Sequence, residues 1–299
     1  MNRFYLNECL DGTFSCQELS KAFIQLVAAF VSLTKKDHLN IQKGWVLEKE
    51  AGRIVLGGVS LESIIKSIPD RETKRIFFSY TLNYPIGDIF RIHDDDTLLK
   101  AGYTFGHDDA TNMAIVGING GTLLTLPVSD AVKKDDLTIK SADSGFEDIN
   151  VPNFHGGTQS NVDITEKRLL RKNYREEPAG IDKLSYLAPR VVMCESFRKR
   201  FKTAPSEHIQ SIFDRLDEVL ANNMLQPLQC NGTMISHVSE HVSELRIVNP
   251  VDIRIYFHED KDTIYFAKMA LKSEYANSNA QTEDIKESEN IIRQLMCES

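Results

Sequence analysis

The stretch HVSEHVSELRIVNPVDIRIYF, residues 237–257, decides the architecture of the carboxy-terminal part of this chain. Wound as a helix, it places His237 and His241 one turn apart with Glu240 between them, the H-x-x-E-H spacing of an inverted zinc peptidase. Extended, it leads directly into ELRIVNP and DIRIYFHED, where β-branched and aromatic residues make strand-like runs. The extended reading is preferred. His, Val and Ser form helices less readily than Ala, Leu or Glu, and a helix here would have to stop against Asn249-Pro250. A zinc peptidase also needs a third ligand and a large cleft, and only 58 residues follow His241. Zinc-dependent hydrolysis through His237, Glu240 and His241 remains an alternative.

Downstream, DTIYFAKMAL supplies a third strand, joined to the second by a hairpin through Glu259 to Asp262. TEDIKESENIIRQLM closes the chain as a helix, with Thr282 able to cap it and acids in its first turn. Upstream, SEHIQSIFDRLDEVLANN carries Ile209, Ile212, Phe213, Leu216 and Val219 or Leu220 on one face, the period of an amphipathic helix. Pro227 and Asn231-Gly232 then turn the chain. Residues 163–175 predict a basic helix bearing Lys167, Arg168, Arg171, Lys172 and Arg175. A boundary falls within 176–195, near EEPAG and Pro189, giving an amino-terminal domain over 1–180 and a small one over 196–299.

Ser15 and Glu18 form a capping box, and the helix they start runs through Leu19, Phe23, Leu26, Val27 and Phe30 to Lys35 and Lys36. KGWVLEK and GRIVLGG predict a hairpin, followed by short helices from Ser60 and Asp70. NMAIVGINGGTLLTLPV, residues 112–128, predicts two strands around Asn119-Gly120-Gly121. NFHGGTQSN is a loop whose amides suit a phosphate, the plain loop being the simpler reading. HDDDTLLKAGYTFGHDD, residues 93–109, has the oxygen donors of a divalent-cation loop without its spacing, and turn and cap chemistry explains it more simply. The fold class is α+β: an amino-terminal α+β domain, then a helix, an antiparallel sheet and a carboxy-terminal helix.

With 41% apolar and 26% charged residues the composition is that of a globular protein, outside the disordered and membrane extremes. The apolar run FIQLVAAFVSL, residues 23–33, is short for a bilayer and predicts a buried helix. The first residues lack the pattern of a secretory leader, which gives a cytoplasmic expectation with no membrane partner. The five cysteines have no metal-binding spacing and are expected to be reduced thiols; no cofactor is expected. The net charge is −8, and residues 196–299 carry 12 Lys plus Arg against 16 Asp plus Glu. Neither part is a nucleic-acid binder by bulk charge, so any phosphate contact must come from local clusters.

SELRIVNP, DIRIYFHEDKDTIYFAKMALKSEYANSNA and TEDIKESENIIRQL together resemble the RelE/HigB superfamily of bacterial toxins, in its phage-derived branch, over a third of the chain. The resemblance implies a small domain that cleaves RNA, often on the ribosome, within a toxin–antitoxin or anti-phage system, with an antitoxin or a phage-derived protein as partner or trigger. Cleavage by a ribose 2′-hydroxyl needs groups that stabilise added negative charge and protonate the leaving oxygen. The resemblance implies Arg254 and Arg246 as phosphate contacts, Lys272 as transition-state stabiliser, and Tyr275 or His258 as proton donor or stacking group. Lys268, and Arg171, Arg198 and Arg200 in EKRLLRKNYR and FRKRFK, would bind RNA, with Tyr174, Phe197 or Phe201 stacking on bases. The sequence departs from the family where paired lysines are reduced to Leu271-Lys272 and where Ile253 replaces an aromatic. A module of the same shape that binds a protein and has lost its nuclease site is therefore the second reading, with Arg246 and Arg254 simply paired to Glu244 or Asp252. The larger amino-terminal part resembles only uncharacterised bacterial proteins that carry such a tail, and its expected role is to sense a signal or restrain that tail.

Overall fold

The computed structural model describes residues 1–80, 98, 100–221, 234–249, 251–275 and 279–298. The chain is α+β and divides into two units, Met1–Leu169 and Leu170–Ser299. The division lies upstream of the boundary expected within 176–195. The physical reason is burial: Tyr174, Leu184, Ala188 and Met193 belong to the second unit's core, so residues 170–195 are part of a fold and not a linker.

The first unit is built on a five-stranded sheet. Its elements are β1 (Asn2–Leu6), α1 (Cys16–Thr34), β2 (Ile41–Val46), β3 (Val55–Leu56), β4 (Val59–Ser60), α2 (Leu61–Ser67), α3 (Arg71–Tyr80), β5 (Thr104–Phe105), β6 (Asp108–Asp109), α4 (Thr111–Ile118), β7 (Thr122–Leu124), β8 (Asp136–Ile139), β9 (Ile149–Phe154) and α5 (Gln159–Glu176). The sheet order is β2-β1-β7-β9-β8, parallel except for the antiparallel edge strand β8. Phe4, Tyr5 and Leu6 are all buried, as a parallel strand covered on both faces requires. The Ser15–Glu18 capping box starts α1 as expected. By length and composition α1 is long enough and apolar enough to cross a bilayer, a longer element than the run at 23–33 suggests. Here its stripe of Phe23, Leu26, Val27 and Phe30 is buried, with Phe23 and Phe30 meeting Phe4 and Trp45 edge to face.

Two expectations for this unit are corrected. KGWVLEK and GRIVLGG do not form a hairpin: β2 pairs in parallel with β1, and β3 pairs with β4. Alternation shows that a segment is a strand but not which strand it joins. NMAIVGINGG is α4 and not a strand. Gly120 takes φ +64° as the chain leaves the helix, and the Gly121 amide donates to the Val116 carbonyl at 2.8 Å. A short continuous apolar run reads alike as helix or strand.

The second unit contains the end of α5, then α6 (Ile181–Leu184), β10 (Arg190–Met193), α7 (Glu195–Thr203), α8 (Ser206–Ala221), β11 (Ile235–Ser239), β12 (Val242–Ile247), β13 (Ile253–Asp260), β14 (Thr263–Leu271) and α9 (Ala280–Cys297). The sheet order is β10-β14-β13-β12-β11, an antiparallel meander with β10 parallel to β14 at one edge. Residues 237–245 are thus a β-hairpin turning at Glu240 and His241, and the helical zinc arrangement does not form. The β13–β14 turn uses Lys261 at φ +52°. One sheet face packs Leu245, Ile255, Phe257 and Phe266 against Phe197 and Phe201 of α7 and Ile212, Phe213 and Leu216 of α8. The other buries Tyr256, Ala267 and Ala270 beneath Ile292 of α9. The closing helix starts at Ala280, two residues before Thr282, without a side-chain cap.

Candidate functional site

Strand register assembles the site on the face beneath α9. Arg246 on β12 stands opposite Arg254 on β13, and Glu244 stands opposite Tyr256, which in turn faces Lys268 on β14. Side chains two residues apart share a face, so Glu244, Arg246, Arg254, Tyr256 and Lys268 gather on one side. Two arginines directly opposed would repel. Glu244 removes the conflict: Arg246 Nε donates to its Oε2 at 2.5 Å and Arg254 Nη1 to its Oε1 at 2.5 Å. Gln281 of α9 adds a third donor at 3.2 Å. The Glu244 side chain is 0% exposed and that of Arg254 10%. A carboxylate so buried is tolerable only because it is paired and hydrogen-bonded.

The remaining cations are matched in the same way. Lys272 Nζ lies 3.3 Å from Asp252, which also sits 3.7 Å from Arg254 Nε. Lys268 bridges Asp284, at 2.7 Å, and Glu287 of α9. Burial alone would lower its basicity, but hydrogen bonds to those two carboxylates raise it instead. Arg254 is likewise held up by Glu244 against the cost of its burial. The Tyr256 and Tyr275 hydroxyls lie 3.0 Å apart, and burial pushes both above the ordinary phenol range. A cavity of about 320 Å³ opens beside them, lined by Phe197, Arg200, Lys268, Tyr275, Glu283 and Asp284 among others. Arg200 is paired there with Glu274 at 2.5 Å.

The structure brings Arg246, Arg254, Lys268, Lys272 and Tyr275 together, with four carboxylates, Glu244, Asp252, Asp284 and Glu287, set against the four cations. His258 stands apart, four residues along β13 from Arg254, or about 13 Å at strand rise. Its ring meets His241 edge to face at 5.5 Å, while His237 Nδ1 contacts Ser243 Oγ at 3.0 Å. Burial, and then His241, depress the His258 pKa. Arg171 and Arg198 are turned onto backbone carbonyls, those of Leu220 and Met193. Tyr174, Phe197 and Phe201 are at most 2% exposed and offer no face for stacking bases. The exposed basic helix face anticipated there has its aromatic residues in the core.

The other loop readings resolve similarly. The His155 and Gly156 amides donate to Asn161 Oδ1 at 2.9 and 3.0 Å, and the Gly157 amide to His155 Nδ1 at 3.0 Å, so NFHGG spends these amides on its own turn. In the loop at 93–109, His93 and Asp94 to Asp96 lie outside the described residues, while Asp109 caps Thr111. Among the described residues no group of three or more His, Cys, Asp or Glu side chains is arranged to hold a metal ion. Sequence reasoning missed the centrality of Glu244 and the part played by Gln281, Asp284 and Glu287. The only signal for Glu244 is its place two residues before Arg246 on a strand. Comparison of the chain with family models, with curated proteins and with solved structures finds no match.

Proposed function

We propose that the second unit is a protein-interaction or regulatory module of RelE-like layout without an active nuclease site. What supports this reading is the state of its cations. Arg254, the residue the resemblance would aim at a scissile phosphate, is buried and turned inward onto Glu244. A phosphate there would have to displace a carboxylate that has no route to solvent, and removing either partner leaves a buried charge. The matched charges around it likewise give little attraction to a polyanion.

The second reading, a toxin-like RNA endonuclease, draws on one observation: four cations and two adjoining tyrosine hydroxyls occupy one face. Expression of the full chain in a bacterial host discriminates between the two. The module reading expects normal growth, no new RNA ends and no binding of a single-stranded RNA at low salt. Growth arrest with new RNA ends, lost in Arg254→Ala and in the more exposed Lys272→Ala, would establish the nuclease instead. The cytoplasmic expectation, and the sensing or restraining role of the first unit, are part of this same proposal.

A further inference from the structure

The first unit holds a cavity of its own. It measures about 240 Å³ and lies between the β5–β6 hairpin, the segment leading into β8, and β8 itself. Its walls are held by backbone hydrogen bonds. Thr104 and Lys140 exchange N–H···O bonds of 2.8 and 2.9 Å, and Asn153, buried beneath, donates to the Lys134 carbonyl at 2.8 Å. Lys134 and Lys140 thus enter from opposite ends of β8, from a backbone that is already fixed.

The charge of this cavity runs against the rest of the chain. The protein carries −8 overall, yet the lining holds two lysines and a single carboxylate, Asp136. Arg168 neutralises Asp136 at 2.6 Å and anchors on the Asp135 carbonyl at 2.8 Å. Among the described residues neither Lys134 nor Lys140 has a carboxylate within ion-pair distance. Phe105 supplies an apolar wall, and the Thr138 hydroxyl, which donates to Asn150 at 2.7 Å, adds a polar group to the lining.

We propose that this cavity binds a small elongated phosphate anion, a short polyphosphate chain or an organic bisphosphate. Lysine ammonium groups suit phosphate oxygens as point charges without demanding bidentate geometry. The volume lies below the roughly 300–1,000 Å³ of sites for drug-sized ligands, so the ligand is smaller. Its length follows from β8. The stretch from Asp136 to Lys140 alone covers about 13 Å of backbone at strand rise, so two lysines rooted beyond its two ends favour an extended anion over a single orthophosphate. This inference concerns the first unit and is independent of the function proposed for the second.

Calorimetric titration of the full chain tests it, with tripolyphosphate and orthophosphate as probes. The expected result is saturable one-to-one binding of tripolyphosphate, at least tenfold tighter than orthophosphate, weakened tenfold or more in Lys134→Ala/Lys140→Ala. Both lysines are exposed, and unchanged Trp45 fluorescence verifies that the variant is folded. Lys21→Ala, which removes an exposed charge elsewhere, should leave the affinity as it was. No saturable binding at millimolar tripolyphosphate, equal affinity for the two anions, or an equal loss in Lys21→Ala would overturn the proposal.

Discussion

The buried triad of Arg246, Glu244 and Arg254 makes a quantitative prediction. In Arg254→Met, Glu244 loses a partner that is itself only 8% exposed and retains Gln281 and the half-exposed Arg246. Breaking a buried pair from one side typically costs about 3–5 kcal/mol. The surviving partners place this case at the low end, about 3 kcal/mol. Glu244→Met strands Arg254 with only Asp252 at 3.7 Å and should cost about 2–3 kcal/mol. The double variant replaces the pair with apolar side chains of similar length, for which the expected cost is about 1 kcal/mol or less. The coupling is therefore about 4–5 kcal/mol. Urea unfolding followed by far-UV circular dichroism measures it. The only tryptophan, Trp45, lies in the first unit, so its fluorescence transition should stay in place while the second unit's shifts. Single variants costing under about 1 kcal/mol each, or a double variant equal to their sum, would refute the claim that Glu244 is a desolvated charge dependent on Arg254.

Three further outcomes follow from other parts of the molecule. Burial and His241 hold His258 below its ordinary pKa, so folding is unopposed while both states are neutral; stability should fall as pH drops below about 6.5, where the unfolded chain protonates first, and His258→Gln should flatten that slope in urea midpoints between pH 7 and 5. Gly156 has φ +60°, and an added Cβ would come within 2.5 Å of the Ala29 Cβ, so Gly156→Ala should destabilise the first unit by about 2 kcal/mol in the Trp45 transition; an unchanged midpoint would contradict the packing described. Burial, then Asp108, Glu8 and Asp109, push the Cys9 thiol up to about 12, so peptide mass spectrometry should find iodoacetamide at pH 8 labelling exposed Cys297 well before Cys9, with Asp108→Asn narrowing the gap.

How much of this was legible in the residues varies by element. The capping box at Ser15 and the amphipathic face of SEHIQSIFDRLDEVL need only neighbours three or four positions away, and both helices lie where their patterns put them. The strand character of residues 237–271 follows from the same local logic, including the rejection of a helical H-x-x-E-H. The pairing of Arg246 and Arg254 with Glu244 or Asp252 was also foreseeable, because a residue two positions along a strand shares its face.

The tertiary structure decided everything that depends on which strand lies beside which. The apolar run at 113–118 is equally at home in a helix or a strand, and the tertiary packing of Met113 to Val116 selected the helix. β2 carries the alternation of a hairpin strand, yet a crossover through α1 lays it parallel to β1. Above all, the sequence shows cations near the chain's end but not the return of the chain that brings Gln281, Asp284 and Glu287 of α9 over them. Local pattern fixes where a side chain points from its own backbone. Whether that direction meets water, a phosphate or a buried carboxylate is set by chain segments distant in sequence, whose approach no local periodicity encodes.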